Sequence, residues 1–253
     1  MGIEQDIFNR TKRLVGDSVM ESIFQKRVIL FGVGGVGSWC AESLVRSGIQ
    51  NLTIVDSDNV SITNVNRQLM ATTKTVGKVK VKVLKERLLE INPDANIDAR
   101  AELYEESNSD QFQLDSFDYI IDAIDSLESK MQLLLHATQT KAIVFSSMGA
   151  ALKMDPTKIK VAEFWKVTGC PLARSLRDKF KKKKLKPHKK VTCVYSEELL
   201  QNLGGILEND GAPAEFHKVV YNGTMAHAVA IFGFTIAGLV MQDIYKKALA
   251  SAE

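Results

Sequence analysis

Arg27-Val-Ile-Leu-Phe-Gly-Val-Gly-Gly-Val-Gly-Ser38 is the stretch on which the reading of this chain turns. The apolar run Val28–Phe31 predicts a buried parallel strand. Gly32, Gly34, Gly35 and Gly37 predict a tight turn into a helix that starts near Ser38. A Cβ at those positions would hold backbone N–H groups away from a phosphate at the helix N-terminus. Taken alone, the glycines fit an ordinary strand–turn–helix corner equally well. Asn51-Leu-Thr-Ile-Val-Asp56 adds a second strand ending in an acid, 19 residues past Gly37. That is where a Rossmann unit carries its ribose-binding carboxylate. The two stretches together predict a nucleotide site and leave the nucleotide open.

The 253 residues suffice for one large core, and 45% hydrophobic with 25% charged residues is an ordinary globular balance. Three cysteines, Cys40, Cys170 and Cys193, without a CxxC pair argue against a disulfide framework and a structural zinc site. The start Met1-Gly-Ile-Glu-Gln-Asp lacks the basic and apolar regions of a secretory signal, so a cytoplasmic location is expected. The net charge of +3 hides an asymmetry. Arg174 to Lys190 holds ten Lys or Arg against Asp178, a local +9 that leaves −6 on the rest of the chain.

Read in order, Asp6–Phe24 is helical with a break at Gly16-Asp17, and Ser38–Ser47 is the first crossover helix. A polar run, Asn59 to Gln68, follows Asp56 and Asp58. Gly77-Lys-Val-Lys80 opens a helix ending near Ile91, before Asn92-Pro93. Strands are expected at Asn96–Ala101, Phe117–Asp122 and Ala142–Ser146, with a helix over Leu127–Thr140. Alternation of this kind predicts a mostly parallel sheet with helices on both faces. Residues 1–150 form this core. Residues 151–253 form an extension with strands at Ile159–Phe164 and Lys190–Tyr195, a loop at Asn202–Pro213 and an apolar segment from Thr224 to Leu249. The apolar part of that segment, Ala226–Met241, falls short of the ~20 residues a bilayer crossing needs. A core or interface helix is expected there, without stable membrane insertion.

Ligands of a parallel α/β sheet bind beyond the C-terminal ends of its strands. Gly32–Gly37, Asp56/Asp58, Asn64–Gln68 and Asp122/Asp125 all follow strands, and Lys80 opens a helix facing the same crevice. An NAD site needs neither the cations Arg67 and Lys80 nor a further aspartate. Arg67 and Lys80 suit a triphosphate, and Asp125 suits a magnesium ion bridging its phosphates.

Asp56-x-Asp58-x-Val60-x-x-x-Asn64-x-x-Arg67-Gln68, Gly77-x-x-Lys80 and Asp122-x-x-Asp125, behind the glycine turn, resemble the adenylation domain of E1-like enzymes, the ThiF/MoeB/HesA superfamily. The resemblance implies an α/β Rossmann-like E1 adenylation fold binding ATP and Mg2+. Gly32, Gly34, Gly35, Gly37 and Gln68 would then belong to the nucleotide site with Asp56 on the ribose. Asn64, Arg67 and Lys80 would hold phosphates, and Asp125 the magnesium. Arg13 would reach the triphosphate of the neighbouring subunit in a homodimer. Within the superfamily, Asp122-Ala-Ile-Asp-Ser126, Asp155-Pro-Thr157, Pro171-Leu-Ala173 and Val191-x-Cys193-Val-Tyr-Ser196 are most similar to the tRNA threonylcarbamoyladenosine dehydratases.

That likeness implies adenylation of the threonyl carboxylate of threonylcarbamoyladenosine in tRNA, followed by ring closure that expels AMP. Intramolecular attack has a high effective molarity, so the step asks for positioning more than for a protein nucleophile. The basic stretch, with Arg174, Arg177, Lys181, Lys182, Lys183, Lys184 and Lys186, would engage tRNA phosphates by counterion release. Phe164, Trp165 and Phe180 are candidates for stacking on bases. Cys193 reads as an acyl-accepting nucleophile or as small core filler in an apolar strand. The sequence leaves open a K+ or Na+ ion in the 150–200 region and a sulfur-relay protein partner, and no zinc is expected. Two other readings are an activator of a small sulfur-carrier protein's C-terminus, and a nucleotide-bound scaffold without catalysis. An NAD-dependent oxidoreductase fits less well.

Overall fold

Every side chain of Val28–Phe31 is buried in the computed structural model, which describes residues 7–204 and 222–250. The reason is the position of β1 (Arg27–Phe31) near the middle of a seven-stranded sheet. The other strands are β2 (Asn51–Val55), β3 (Asn96–Arg100), β4 (Tyr119–Asp122), β5 (Ile143–Ser147), β6 (Ile159–Glu163) and β7 (Thr192–Ser196). They lie in the order β3-β2-β1-β4-β5-β7-β6. All neighbours are parallel except β6, which runs antiparallel to β7 at the edge. The strands of the extension therefore continue the same sheet, and β5 pairs directly with β7.

Alternation along β1 sends Val28 and Leu30 into one core and Ile29 and Phe31 into the other. The first core is covered by α1 (Asn9–Val15), α2 (Asp17–Gln25), α3 (Gly35–Arg46), α4 (Lys80–Ile91) and α7 (Ala226–Ala250). The second lies under α5 (Leu127–Ala137) and α6 (Pro171–Lys183). Gly16, at φ 85°, separates α1 from α2 where the break was expected.

Three expectations change. Helix α3 starts at Gly35 rather than Ser38, so two of the glycines lie in its first turn. The basic stretch, read only as a charge run, is largely helical: Ala173, Leu176 and Phe180 form its buried stripe. The third change concerns length. The apolar segment is a single helix of 25 residues, long and apolar enough to cross a bilayer, which removes the argument from shortness. Packing replaces it, since Phe232, Ile236, Ala237, Val240 and Ile244 are buried in the first core. Gly233 sets how close α7 comes to α3, because a Cβ there would stand 2.5 Å from Val36 O. Of the expected Asn202–Pro213 loop, positions 205 to 213 lie outside the described residues.

Candidate active site

The strand order reverses between β1 and β4, so the loops leaving these two neighbours diverge and open a crevice. A cavity of about 610 Å³ occupies it, lined by Gly32, Gly34, Gly35, Asp56, Asp58, Arg67, Gln68, Lys80 and Asp125 among others. These five stretches, far apart in sequence, thus meet at one place. Gly32, at φ 84°, packs so tightly on the β4 loop that a Cβ would lie 2.6 Å from Ala123 O. Gly37 lies behind the turn, where a Cβ would meet Gly32 O at 1.8 Å. Gly37 therefore shapes the turn without lining the cavity.

Asp56 ties the parts together. Its Oδ2 accepts from the N–H of Val33 at 2.9 Å and its Oδ1 from the N–H of Asp58 at 2.9 Å. Lys80 is 5% exposed, with Nζ 2.7 Å from Asp58 Oδ2 and 3.8 Å from Asp56 Oδ1. Burial raises the pKa of Asp56 and Lys80 pulls the other way. Arg67 donates to Thr63 O at 2.7 Å and to Asn66 Oδ1 at 3.1 Å, while Trp39 Nε1 donates to Arg67 O at 3.1 Å. Burial lowers the pKa of Arg67, and the field of Asp125 opposes that. Two partly shielded cations thus face a cavity whose floor is a glycine turn, an arrangement that suits a polyphosphate. Gln68 Oε1 is buried without a hydrogen-bond partner among the described residues, an acceptor in the cavity wall that a ligand donor would satisfy.

Residues 8–253 match the model of the ThiF family. The chain belongs to the ThiF family. It is 35% identical to the tRNA threonylcarbamoyladenosine dehydratase of Bacillus subtilis (strain 168) over 243 residues, covering 94% of each chain. It is 36% identical to the enzyme of the same name from Escherichia coli (strain K12) over 252 residues, covering 95% of this chain and 94% of the other. The crystal structure of Escherichia coli TcdA in complex with ATP superposes with a TM-score of 0.85 at 31% identity, over 97% of this chain and 96% of that one.

Not every expected residue of this ThiF-family chain reaches the cavity. Asn64 is buried beside it: its Oδ1 caps the turn at Ile62–Asn64 by accepting from the N–H of Ser61 at 3.0 Å. Arg13 is exposed on α1 and does not line its own subunit's cavity. Cys193 is fully buried and off the cavity lining, its only hydrogen bond among the described residues runs 3.8 Å to Val191 O, and burial pushes its thiol pKa far up. A protonated thiol without access is no nucleophile, which corrects that candidate to core filler. Phe164 and Phe180 are likewise fully buried and cannot stack on a base, whereas Trp165 is 43% exposed.

The basic segment divides in two. Arg177 donates to Phe164 O at 3.1 Å and Val167 O at 2.9 Å, so it braces the loop ahead of α6. Lys179 and Lys183 both pair with Glu128 on α5. Arg174, Lys181, Lys182, Lys184 and Lys186 are exposed and make no ion pair among the described residues. The run of seven expected RNA contacts thus includes one brace, Arg177, and one paired lysine, Lys183.

Sequence reasoning missed Lys130. It is fully buried, with Nζ 2.7 Å from Asp122 Oδ2 and 2.9 Å from Ile124 O, and Ser146 Oγ donates to the same Asp122 oxygen at 2.6 Å. This network fixes the Asp122–Asp125 loop and hence where Asp125 stands. The signal was present, because a carboxylate closing an apolar strand needs a cation and Lys130 is the first one that follows. Ser147–Ala151, Leu172 and Thr224 also line the cavity; of these only Leu172 fell in a quoted motif, Pro171-Leu-Ala173, and it was not read as a site residue.

Proposed function

We propose that this chain uses ATP to activate the threonyl carboxylate of threonylcarbamoyladenosine in tRNA, so that the modification closes to its cyclic form with release of pyrophosphate and AMP. The observation that carries this reading is the convergence of Lys80, Arg67 and Asp125 on a cavity floored by the glycine turn. Relatives covering nearly the whole chain, including the basic segment, bear the dehydratase name.

In this reading Asp56 holds the ribose, and the turn N–H groups with Lys80 and Arg67 hold phosphates. Asp125, exposed in the cavity wall, would hold a Mg2+ ion, which supplies charge neutralisation on the phosphates. The carboxylate oxygen attacks the α-phosphorus and pyrophosphate leaves, with Lys80 and Arg67 offsetting the charge that builds on it. The carbamoyl group of the same nucleoside then attacks the activated carbonyl and AMP leaves. No protein nucleophile is needed, which agrees with the burial of Cys193. A K+ or Na+ ion in the 150–200 stretch would rest on carbonyl and hydroxyl oxygens, since no group of three His, Cys, Asp or Glu converges among the described residues. Arg13, exposed and outside the cavity of its own chain, would be the arginine that reaches the triphosphate of a partner subunit.

Pyrophosphate exchange into ATP tests the reading. Exchange dependent on threonylcarbamoyladenosine-bearing tRNA is expected; exchange supported only by a small carrier protein with a free C-terminus would overturn it in favour of carrier activation.

A further inference from the structure

Trp165 is the one large aromatic side chain among the described residues that stands out of the sheet end beside the basic helix. Its position is fixed from both sides. The N–H of Phe164 donates to Val191 O at 2.9 Å, and the N–H of Trp165 donates to Glu163 Oε2 at 2.9 Å. Its indole rests edge-on against Phe164 (centroids 5.1 Å) and tilted against Phe180 (6.5 Å), both fully buried. The residue nonetheless remains 43% exposed. A rigid, half-open indole loses little freedom when something stacks on it.

Its surroundings are cationic. Lys166 follows it in the chain, Lys190 precedes Val191, the residue that Phe164 bonds just ahead of β7, and Lys181 and Lys184 follow Phe180 at and just past the end of α6; all four are exposed. Of the acids around this helix, Glu163 has its carboxylate engaged by the Trp165 N–H, Glu128 is paired with Lys179 and Lys183, and Asp178 lies on the helix itself. Lysines of this density are depleted from the centres of protein–protein interfaces. A flat aromatic among phosphate-binding cations is how single-stranded nucleic acid is held.

We propose that Trp165 is a stacking platform for an unpaired RNA base, with Lys166, Lys181, Lys184 and Lys190 on the flanking phosphates. The proposal rests on the tRNA reading above and adds a second point of contact. Trp165 does not line the cavity, while Leu172 at the start of α6 does. Phe180, against which Trp165 packs, lies eight residues further along, about 12 Å at the helical rise. The base on Trp165 is therefore a different nucleotide of the loop from the one whose modification enters the cavity.

The chain has two tryptophans, so fluorescence reads this site directly. Titration of the full-length protein with threonylcarbamoyladenosine-bearing tRNA should quench emission, and most of the quench should vanish in Trp165→Phe. Trp165→Ala should weaken tRNA binding on the order of tenfold with an unchanged dependence on salt, because stacking releases no counterions. Trp165→Phe should recover most of that affinity. Lys181→Glu with Lys184→Glu should instead flatten the salt dependence. If the wild-type protein does not bind this tRNA at all, the tRNA reading itself fails. If it binds and Trp165→Ala binds equally well, or loses affinity only through a smaller salt slope, the stacking proposal alone is overturned. A change of Trp165 emission on dilution of the protein without RNA would place a second copy of the chain there and overturn it as well.

Discussion

The glycine turn and the basic helix are the two regions that the sequence marks most loudly, and they behave differently in three dimensions. Around the turn, each marked residue is held by backbone geometry. Asp56 must close on Val33 and Asp58, and Lys80 must open α4 at the crevice, because strand ends in a parallel sheet leave few alternatives. Between Arg174 and Lys190 the marking is only charge, and charge does not say which way a side chain points. Arg177, Lys179, Lys183 and Lys189 are used by the fold itself, Lys189 donating to Thr140 O at 2.6 Å. Spacing encodes a site, whereas composition encodes a tendency that packing then divides between structure and surface.

The largest effect that would break this contrast is expected inside the cavity. Lys80→Ala removes a cation that nothing else at the Asp56/Asp58 pair replaces. By comparison with the loss of a single charge-stabilising donor, adenylation should fall about 100- to 1,000-fold. Single-turnover formation of AMP on modified tRNA measures it. A loss under about tenfold would mean that Lys80 merely balances Asp58 and that the phosphate reading of the turn is wrong. Cys193→Ser, in contrast, should leave turnover unchanged.

Lys130→Met tests the fold-borne half of the same site. It leaves Asp122 buried and unpaired, at a cost of about 3–5 kcal/mol. Thermal melting should show a correspondingly large fall in the midpoint. Adding Asp122→Asn should restore much of the loss, because an uncharged amide no longer needs the lysine. If Lys130→Met melts like the wild type, the network does not fix the Asp125 loop.

These two lysines also show what could be read in advance. Lys80 was legible because it opens the helix that follows Gly77 and so faces the crevice beyond the strand ends. Lys130 was not singled out, since its neighbours Met131 to Leu135 read as a buried helix in which a charge looks like an exposed face. The mostly parallel sheet, and with it a site beyond the ends of its strands, was legible from the alternation of elements, whereas the order of the strands was not. What escaped were contacts made across the sheet. Ser147–Ala151 face the cavity only because β5 adjoins β4, and Asn64 turns to cap its own loop rather than to line the site. The rigid α6 was missed because lysine runs were read for charge and not for the Ala173–Leu176–Phe180 stripe between them.

On the basic helix the expected effects are smaller and separable. Lys181→Glu with Lys182→Glu should lower tRNA affinity and reduce the slope of log affinity against log salt by roughly 1.5, at about 0.7–0.9 per phosphate contact. Arg177→Ala should leave that slope unchanged and cost about 1–3 kcal/mol of stability, because two carbonyls of the Phe164–Val167 turn lose their donor. Equal slopes in all three proteins would erase the division between free and structural cations.

Glu128 gives the smallest and most specific test. Hydrogen bonds from Lys179 and Lys183 hold its carboxyl down at about 2, so its folded value lies below its unfolded one. The contribution to stability is therefore complete above about pH 4.5 and is lost as pH falls from there through 2. The carboxylate is half exposed, so screening limits the gain to at most about 1 kcal/mol. Glu128→Gln should consequently flatten the acid limb of the stability curve slightly and also free two lysines at the α5–α6 contact. If those lysines then reach RNA, the salt slope should steepen by as much as about 1.5 while ATP affinity stays the same. A slope that does not move would show that Lys179 and Lys183 face away from the nucleic acid even when released, confining the RNA path to the side of α6 that carries Lys181, Lys182 and Lys184.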